Sequence, residues 1–467
     1  MAKVVFLQRG WTEQIGIMVL SSFIKEKGHQ CELFVEGEEK DLISSALSAK
    51  PDLIAFSGVT MMRNWILKIA RRIKEKSNIP IIVGGVDPTF FPDLVREDGI
   101  DIICRGEGEY PLLELLDSLE NGQIRTDIEN LWIKKNGKIF QNPLRPLISN
   151  LDEFPDPDRE IYYKYNYFKK YPVKRIQAGR GCPYKCTYCF NKGYQKLYEN
   201  KGKYVRFRSV ERVIKEIKNI KDKYGFKTII LNDDILLLNR NWVNEFLEKY
   251  KREINKPFIC STTVNLLNEE IVKKLKEANC YCVFFGIETG NETLRKEILH
   301  KNITNEQILK ATELLRKYGI ISRPTNMLGI PGESLENAFE TLELNIKAKP
   351  TISWCSLFLP YPGTELREQA LRDGLIEENG KETISYFSHT ILKQKNNNKI
   401  QNLQKLFSLT VRFPFLKPVV KRIISLPPNF LFDLIFLFSF TYVFAKSHNL
   451  SPLEAIYWHA RNVKKFL

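Results

Sequence analysis

The chain of 467 residues is long enough for two or three domains, and its 43% hydrophobic content leaves room for sizeable cores. Its formal charge is +16, and residues 391–467 hold +10 of it, from nine Lys and three Arg against Asp433 and Glu454. Nine cysteines, an odd number, and first residues that read as a strand rather than a targeting segment argue against a disulfide framework and for a reducing, cytoplasmic setting.

Residues 1–125 read as a first domain. Short apolar runs at 4–7, 31–35, 53–56, 79–83 and 100–104 alternate with amphipathic patterns such as 15–27 and 65–76. The alternation predicts a doubly wound, Rossmann-like α/β domain with a parallel sheet between helices. Ligands of such sheets sit beyond the carboxyl ends of the strands, where this chain places 8–16, 57–60, 84–89 and 106–109. Glycines there permit close backbone approach to a ligand. Neither a G-x-G-x-x-G nor a Walker pattern follows the first strand, which weakens nucleotide readings.

Residues 126–172 read as a connector. The stretch 131–141 predicts a hairpin around Asn136 and Gly137. An aromatic run at 162–171 serves core packing by preference, with the lining of an interdomain cleft as the alternative.

Residues 173–375 alternate again. Strands are expected near 174–178, 228–232, 258–264, 281–287, 321–330 and 351–359. Helices are expected near 209–224, 241–253, 268–278, 304–318, 334–348 and 364–372. Six strand–helix units predict an open, partial β/α barrel of TIM type, with ligands at the strand C-termini.

Residues 376–467 change character and predict a basic, apolar, helical region. The stretch 393–399 is Asn-rich and is expected to be mobile. The stretch 430–445 is apolar and Phe-rich, interrupted by Asp433. It is shorter than the roughly 20 residues that span a bilayer. It reads first as a buried helix covering the barrel mouth or packing on a neighbouring domain. The second reading is a helix in the membrane interface, supported by the local charge.

The chemistry concentrates at 179–191, Gly-Arg-Gly-Cys-Pro-Tyr-Lys-Cys-Thr-Tyr-Cys-Phe-Asn, just after the first strand of the second α/β region. Cys182, Cys186 and Cys189 are spaced C-x3-C-x2-C. Three thiolates on one loop can hold three irons of a four-iron–four-sulfur cluster and leave the fourth iron open to a substrate. A structural zinc site needs a second pair of ligands, and none with that spacing is present.

The cysteine loop, with Tyr188 before its last cysteine, resembles the radical SAM superfamily, in which S-adenosylmethionine (SAM) chelates the open iron. The resemblance extends along the region. It implies SAM-facing polar groups at 231–234, chiefly Asp233. At 286–290, Gly-Ile-Glu-Thr-Gly, it implies that Glu288 takes ribose or amino groups. At 328–333 it implies packing of Ile330 and Pro331 against adenine, and 361–365 matches a further element after the sixth strand. At 260–265 it implies a contact from Thr262. Relatives often carry an Arg near Thr263, and none stands there.

Residues 1–125 are similar to the cobalamin-binding domain that precedes the radical SAM domain in one large subgroup. That similarity implies cobalamin contacts from Glu13, Gln14, Gly16, Ser57, Thr60, Gly84, Gly85, Gly106, Glu107 and Glu109. Relatives frequently have His where Asp87 stands, and no Asp-x-His-x-x-Gly occurs. Cobalamin is therefore expected to bind without a histidine ligand.

The implied activity is reductive cleavage of SAM at a four-iron cluster to a 5′-deoxyadenosyl radical, with cobalamin, for methylation of an unactivated carbon. Some members of the subgroup instead cyclise or join carbons. The resemblance also implies an electron donor such as a flavodoxin or ferredoxin. The basic, Phe-rich C-terminal region points to a lipid or lipid-linked substrate and peripheral membrane contact, and is expected to help cover the barrel. A non-catalytic cobalamin or redox sensor is disfavoured by the intact cysteine loop and Glu288. Nucleic acid is disfavoured because the cationic tail is apolar.

Overall fold

The computed structural model describes residues 1–10, 12–377 and 390–463, with side chains to 458. Trp11, in the 8–16 loop, and residues 378–389 and 464–467, in the C-terminal region, lie outside the described residues. The chain forms two compact units. One holds Met1–Tyr171 and Gln195–Arg206, the other Pro172–Tyr194 and Phe207–Leu467.

The first unit is built on a seven-stranded sheet in the order β2-β1-β3-β4-β5-β6-β7. The strands are β1 (Lys3–Arg9), β2 (Gln30–Glu36), β3 (Leu53–Ser57), β4 (Ile81–Gly84), β5 (Ile102–Cys104), β6 (Leu131–Lys135) and β7 (Lys138–Gln141). The first five are parallel. Their near-continuous apolar runs suit strands covered on both faces. The covering helices include α1 (Ile15–Glu26), α2 (Leu42–Ser48), α3 (Arg63–Lys74) and α4 (Glu109–Glu120). Strand order reverses between β1 and β3, so the ligand crevice of this sheet type lies at their carboxyl ends.

The hairpin at 131–141 continues this sheet, with β6 antiparallel to β5 and to β7. Asn136 and Gly137 both take positive φ, +49° and +74°, as a tight two-residue hairpin turn demands. The aromatic run is packed, as preferred from sequence. Tyr162 and Phe168 are buried and meet edge to face at 5.1 Å. The Tyr162 hydroxyl donates to Gln8 Oε1 at 2.5 Å and accepts from Gln14 N at 3.2 Å.

The second unit is a curled half-barrel of six parallel strands in chain order. They are β8 (Val173–Ile176), β9 (Thr228–Leu231), β10 (Phe258–Thr262), β11 (Cys280–Glu288), β12 (Ile321–Leu328) and β13 (Trp354–Leu357). The intervening helices are α5 (Val210–Lys223), α6 (Arg240–Glu253), α7 (Glu269–Glu277), α8 (Asn305–Lys317) and α9 (Leu335–Ala348). Their apolar stripes pack on the sheet through a core that includes Ile217, Ile229, Phe246, Phe258, Leu275 and Val283. Beyond β13 comes α10 (Glu365–Arg372).

The C-terminal region is helical: α11 (Asn397–Arg412), α12 (Lys417–Ile423), α13 (Phe430–Ser447) and α14 (Pro452–Val463). The last three residues of the Asn-rich stretch 393–399 begin α11. This helix covers the free edge of β13, where Gln404 and Ser408 donate to the Cys355 and Ser353 carbonyls at 2.9 Å each. An exposed strand edge invites unwanted pairing, and α11 removes that opportunity.

The placement of α13 corrects the expectation that it covers the barrel mouth. Tyr281, at the start of β11, donates to the Lys446 carbonyl at 3.0 Å, and Asn449 donates to Thr228, at the start of β9, at 3.1 Å. Trp354, at the start of β13, packs against Phe440 at 5.0 Å. The segment therefore closes the amino-terminal end of the half-barrel, opposite the cysteine loop. Asp433, the polar break in the apolar stretch, pairs with the buried Lys405 of α11 at 2.5 Å.

Candidate functional site

Cys182, Cys186 and Cys189 line one cavity of about 300 Å³ at the carboxyl ends of the half-barrel strands, together with Tyr188, Thr262 and Glu288. The loop is held by its neighbours. Thr187 donates through N and Oγ1 to the Leu299 and Ile298 carbonyls at 3.2 and 2.6 Å, and its carbonyl accepts from Leu366 N at 3.0 Å. Burial pushes the Cys182 thiol up to about 12 and raises Cys186 and Cys189 as well. Loading metal on these thiols must therefore displace protons. Three thiols on a clamped loop, facing polar groups across an open cavity, fit a four-iron cluster with one iron left free.

Asp233 does not face the cavity. It is buried and accepts from Ala178 N and Gly179 N at 3.2 and 2.5 Å, fixing the backbone that enters the cysteine loop. Burial raises its carboxyl to about 7. The neighbouring Asp234 lines the cavity instead and accepts from Asn191 Nδ2 at 3.3 Å, and that amide also reaches Cys189 Sγ at 3.5 Å.

Glu288 closes the opposite wall. It accepts from Lys301 Nζ at 2.8 Å and from the Tyr188 hydroxyl at 3.1 Å. Its φ of +67° is in the left-handed region, which a non-glycine residue occupies only when its surroundings impose it. Arg295 supplies that constraint. It is fully buried and donates to the carbonyls of Ile287 and Thr289, at 3.2 and 3.0 Å through Nε, and of Ile303 at 3.0 Å. Desolvation pulls its guanidinium down to about 10. A Cβ at Gly286 would overlap the Glu288 carboxylate and the Lys301 ammonium, which explains the glycine there.

Two further groups have unmet hydrogen-bonding capacity. Thr262 is buried, and among the described residues its Oγ1 has no partner. Arg323 from β12 lines the same cavity, with its guanidinium 4.4 Å from the Phe284 ring centre and 5.6 Å from that of Trp354. Its Nε has no partner among the described residues, and burial pulls it down to about 10. Buried polar atoms are nearly always paired in folded proteins, so both mark positions where a ligand completes the site. Arg323 also brings a cation into the cavity although none stands near Thr263.

Ile330 and Pro331 are buried outside the cavity wall. Ile330 packs with Leu299, Phe358 and Leu366, and Tyr188 rests against that cluster. The turn they begin is held by Glu333, which accepts from Gly329 N at 2.5 Å and is raised by burial to about 8. Arg295, Lys301 and Arg323 were not singled out from sequence. Arg323 is one of four polar residues in the strand Ile-Ser-Arg-Pro-Thr-Asn-Met-Leu, so no local pattern marks it out.

In the first unit the expected cobalamin residues divide into two sets. Ser57, Thr60, Gly84, Gly85 and Gly106 cluster at the carboxyl ends of β3, β4 and β5. Gly85 has φ +101°, and a Cβ there would lie 2.7 Å from the Gly58 carbonyl, so the β3 and β4 loops approach closely because both are glycine. The acidic residues are occupied by the protein. Glu107 pairs with Arg206 through contacts of 2.9 and 3.1 Å and accepts from Ile148 N at 2.9 Å. Glu13 is buried opposite Arg159 at 3.6 Å, and Glu109 is buried in the first turn of α4. Gln14 stands at the residue before α1 without a capping hydrogen bond from its side chain, and Gly16 lies exposed in the first turn. Asp87 is buried in a two-point pair with Arg63 at 2.9 and 3.2 Å.

The model of the radical SAM superfamily matches residues 176–344, and that of the B12 binding domain matches residues 8–116. An uncharacterized methyltransferase of Pyrococcus horikoshii is 31% identical over 374 residues, spanning 78% of this chain and 79% of that protein. The anaerobic magnesium-protoporphyrin IX monomethyl ester cyclase of Rubrivivax gelatinosus is 25% identical over 375 residues, or 76% of this chain and 65% of that protein. Among solved structures, the cobalamin-dependent S-adenosylmethionine radical enzyme OxsB with aqua-cobalamin bound overlays with a TM-score of 0.69 at 18% identity. That overlay covers 99% of this chain and 75% of the other, a likeness of fold alone.

Proposed function

The chain belongs to the radical SAM superfamily, in a form that also carries a B12-binding domain, and from that premise we propose that it methylates an unactivated carbon of its substrate. The observation that carries the reading is the cavity in which three cysteines, Glu288, Thr262 and Arg323 converge. The cofactors are a four-iron cluster, SAM and cobalamin. Bound together, they supply an electron, a 5′-deoxyadenosyl radical and a transferable methyl group, chemistry that belongs to the cofactors rather than to side chains.

The side chains bind and orient. Cys182, Cys186 and Cys189 hold three irons. Glu288 accepts hydrogen bonds from the ribose hydroxyls or the ammonium of SAM, since a carboxylate is an acceptor only. Arg323 suits the SAM carboxylate, and Thr262 Oγ1 donates to or accepts from the same ligand. Lys301 holds the Glu288 carboxylate in place through its 2.8 Å hydrogen bond. Asp233 is a positioning residue for the loop. In the first unit, Ser57, Thr60, Gly84, Gly85 and Gly106 present backbone and small side chains to cobalamin.

The second reading is ring formation without methyl transfer, favoured by the identity with the magnesium-protoporphyrin cyclase. The electron donor is of the flavodoxin or ferredoxin class. A lipid or lipid-linked substrate and a peripheral site at the membrane are the finer part of the proposal, supported by the basic, Phe-rich C-terminal region. The test is anaerobic turnover of reconstituted protein with methyl-labelled SAM and cell extract. Methylation predicts 5′-deoxyadenosine together with label in a product. 5′-Deoxyadenosine with no label transferred selects the cyclase reading. No 5′-deoxyadenosine refutes both and returns the sensor.

A further inference from the structure

Among the described residues, apolar exposure is concentrated in one stretch of the chain. Of the fifteen exposed large hydrophobic side chains among the described residues, eleven fall within 413–457. Phe415, Phe430, Leu431, Phe438, Leu453 and Tyr457 are each at least 60% exposed. Single exposed apolar residues are ordinary, but a contiguous set marks an interaction surface.

The set is ordered by the helices. On α13, Leu431, Phe438 and Tyr442 follow spacings of seven and four, which places them on one face. Lys446 continues that face at the end of the helix. The other side of α13 is fastened: Phe432 and Val443 are buried, and Asp433 pairs with Lys405. On α14, Leu453, Ile456 and Tyr457 repeat the pattern at spacings of three and four. An apolar cavity of about 620 Å³ between α11 and α13 is continuous with this face, because Phe438 and Tyr442 line it together with Arg412.

The charge identifies the partner. Exposed Lys421 and Arg422 stand on α12 beside Val419, and residues 391–467 carry +10 overall. An apolar stripe flanked by Lys and Arg is what an interfacial helix presents to anionic headgroups. By length and composition this 18-residue helix is long and apolar enough to cross a bilayer. One long side is packed on α11, however, where Asp433 pairs with the buried Lys405, and a helix fastened in this way lies along a surface rather than through it.

We infer that the face formed by α12, α13 and α14 docks on an anionic membrane surface, with α13 lying in the interface plane. The inference deepens the peripheral membrane site proposed above and rests on that part of the reading, not on the reaction, because docking needs neither turnover nor cofactors.

The test is cosedimentation of the full chain with phosphatidylcholine vesicles holding about 30% phosphatidylglycerol, at physiological ionic strength. Binding is expected to these vesicles and to be much weaker with phosphatidylcholine alone. Phe438→Glu combined with Tyr442→Glu is expected to lower partitioning at least about tenfold. Lys421→Gln with Arg422→Gln is expected to lower it about thirtyfold, at roughly a factor of five per cation near such a surface. Phe140→Glu, on the other unit, is expected to change nothing. Circular dichroism and cluster content establish that each variant is folded.

Wild-type protein that fails to sediment with anionic vesicles overturns the inference. So does folded F438E/Y442E protein that binds as wild type. A dimer by light scattering that the same two substitutions dissolve, without vesicle binding, assigns the face to a second copy instead.

Discussion

Gly286→Ala tests the geometry of the Glu288 wall with a single methyl group. The added Cβ would overlap both the Glu288 carboxylate and the Lys301 ammonium. Neither can retreat freely. Glu288 is fixed at φ +67° between residues whose carbonyls Arg295 binds, and the two side chains are only 9% and 13% exposed. Overpacking a tight site costs about 1–3 kcal/mol. Separating a buried pair outright costs about 3–5 kcal/mol. A displaced but partly solvated pair falls between, so unfolding free energy is expected to drop by about 2–3 kcal/mol. Because the displaced carboxylate is the proposed SAM acceptor, affinity for SAM should fall at least about tenfold, equal to one lost hydrogen bond of about 1.4 kcal/mol. The assay pairs urea unfolding of the metal-free protein with equilibrium dialysis of SAM on the reconstituted one. Cluster content should stay at the wild-type level, because the cysteines lie on a different segment. G286A protein with wild-type stability and wild-type SAM affinity would refute the account of why glycine stands at 286.

Other consequences separate binding from folding. Thr262→Val removes a hydroxyl that has no protein partner, so stability should hold within about 1 kcal/mol while SAM binding weakens several-fold; a large stability loss would show that the hydroxyl is already used. Cys186→Ser should abolish iron loading beyond two ligands and with it SAM cleavage, leaving circular dichroism unchanged; retained 5′-deoxyadenosine formation would contradict the cluster assignment. Glu333 is raised by burial from 4.5 to about 8. Between those values the unfolded chain has lost the proton and the folded chain keeps it, so stability falls as pH rises across that window. Glu333→Gln should flatten the slope in urea unfolding measured from pH 5 to pH 8, and an unchanged slope would refute it.

The secondary structure of the second unit was legible to within a few residues because each element states its own period. The runs 229–231 (Ile-Ile-Leu) and 258–260 (Phe-Ile-Cys) are apolar, and the helix between them carries one apolar stripe, so local patterning suffices. The cysteine loop and Glu288 were legible for a different reason: their spacing is a local property of the chain. Asp233 shows where that reasoning stops. It lies two residues past the end of β9, where strand alternation no longer says which of two adjacent carboxylates turns inward, and the amides of Ala178 and Gly179 capture it. Glu107 and Glu13 looked available for cobalamin, but Arg206 and Arg159, about a hundred or more positions away, occupy them.

By itself the sequence determined the two α/β units, the three-thiol loop and the apolar, cationic character of the C-terminal region, all of which follow from residues close together in the chain. The tertiary structure decided which polar groups share the cavity. Lys301, Arg323 and Thr262 arrive on three separate segments, and only the curl of the half-barrel brings them to Glu288. It also decided that α13 closes the amino-terminal end of the strands. An apolar helix can bury its face at either end of an open barrel, and the choice depends on partners such as Trp354 and Lys405, which no local pattern announces.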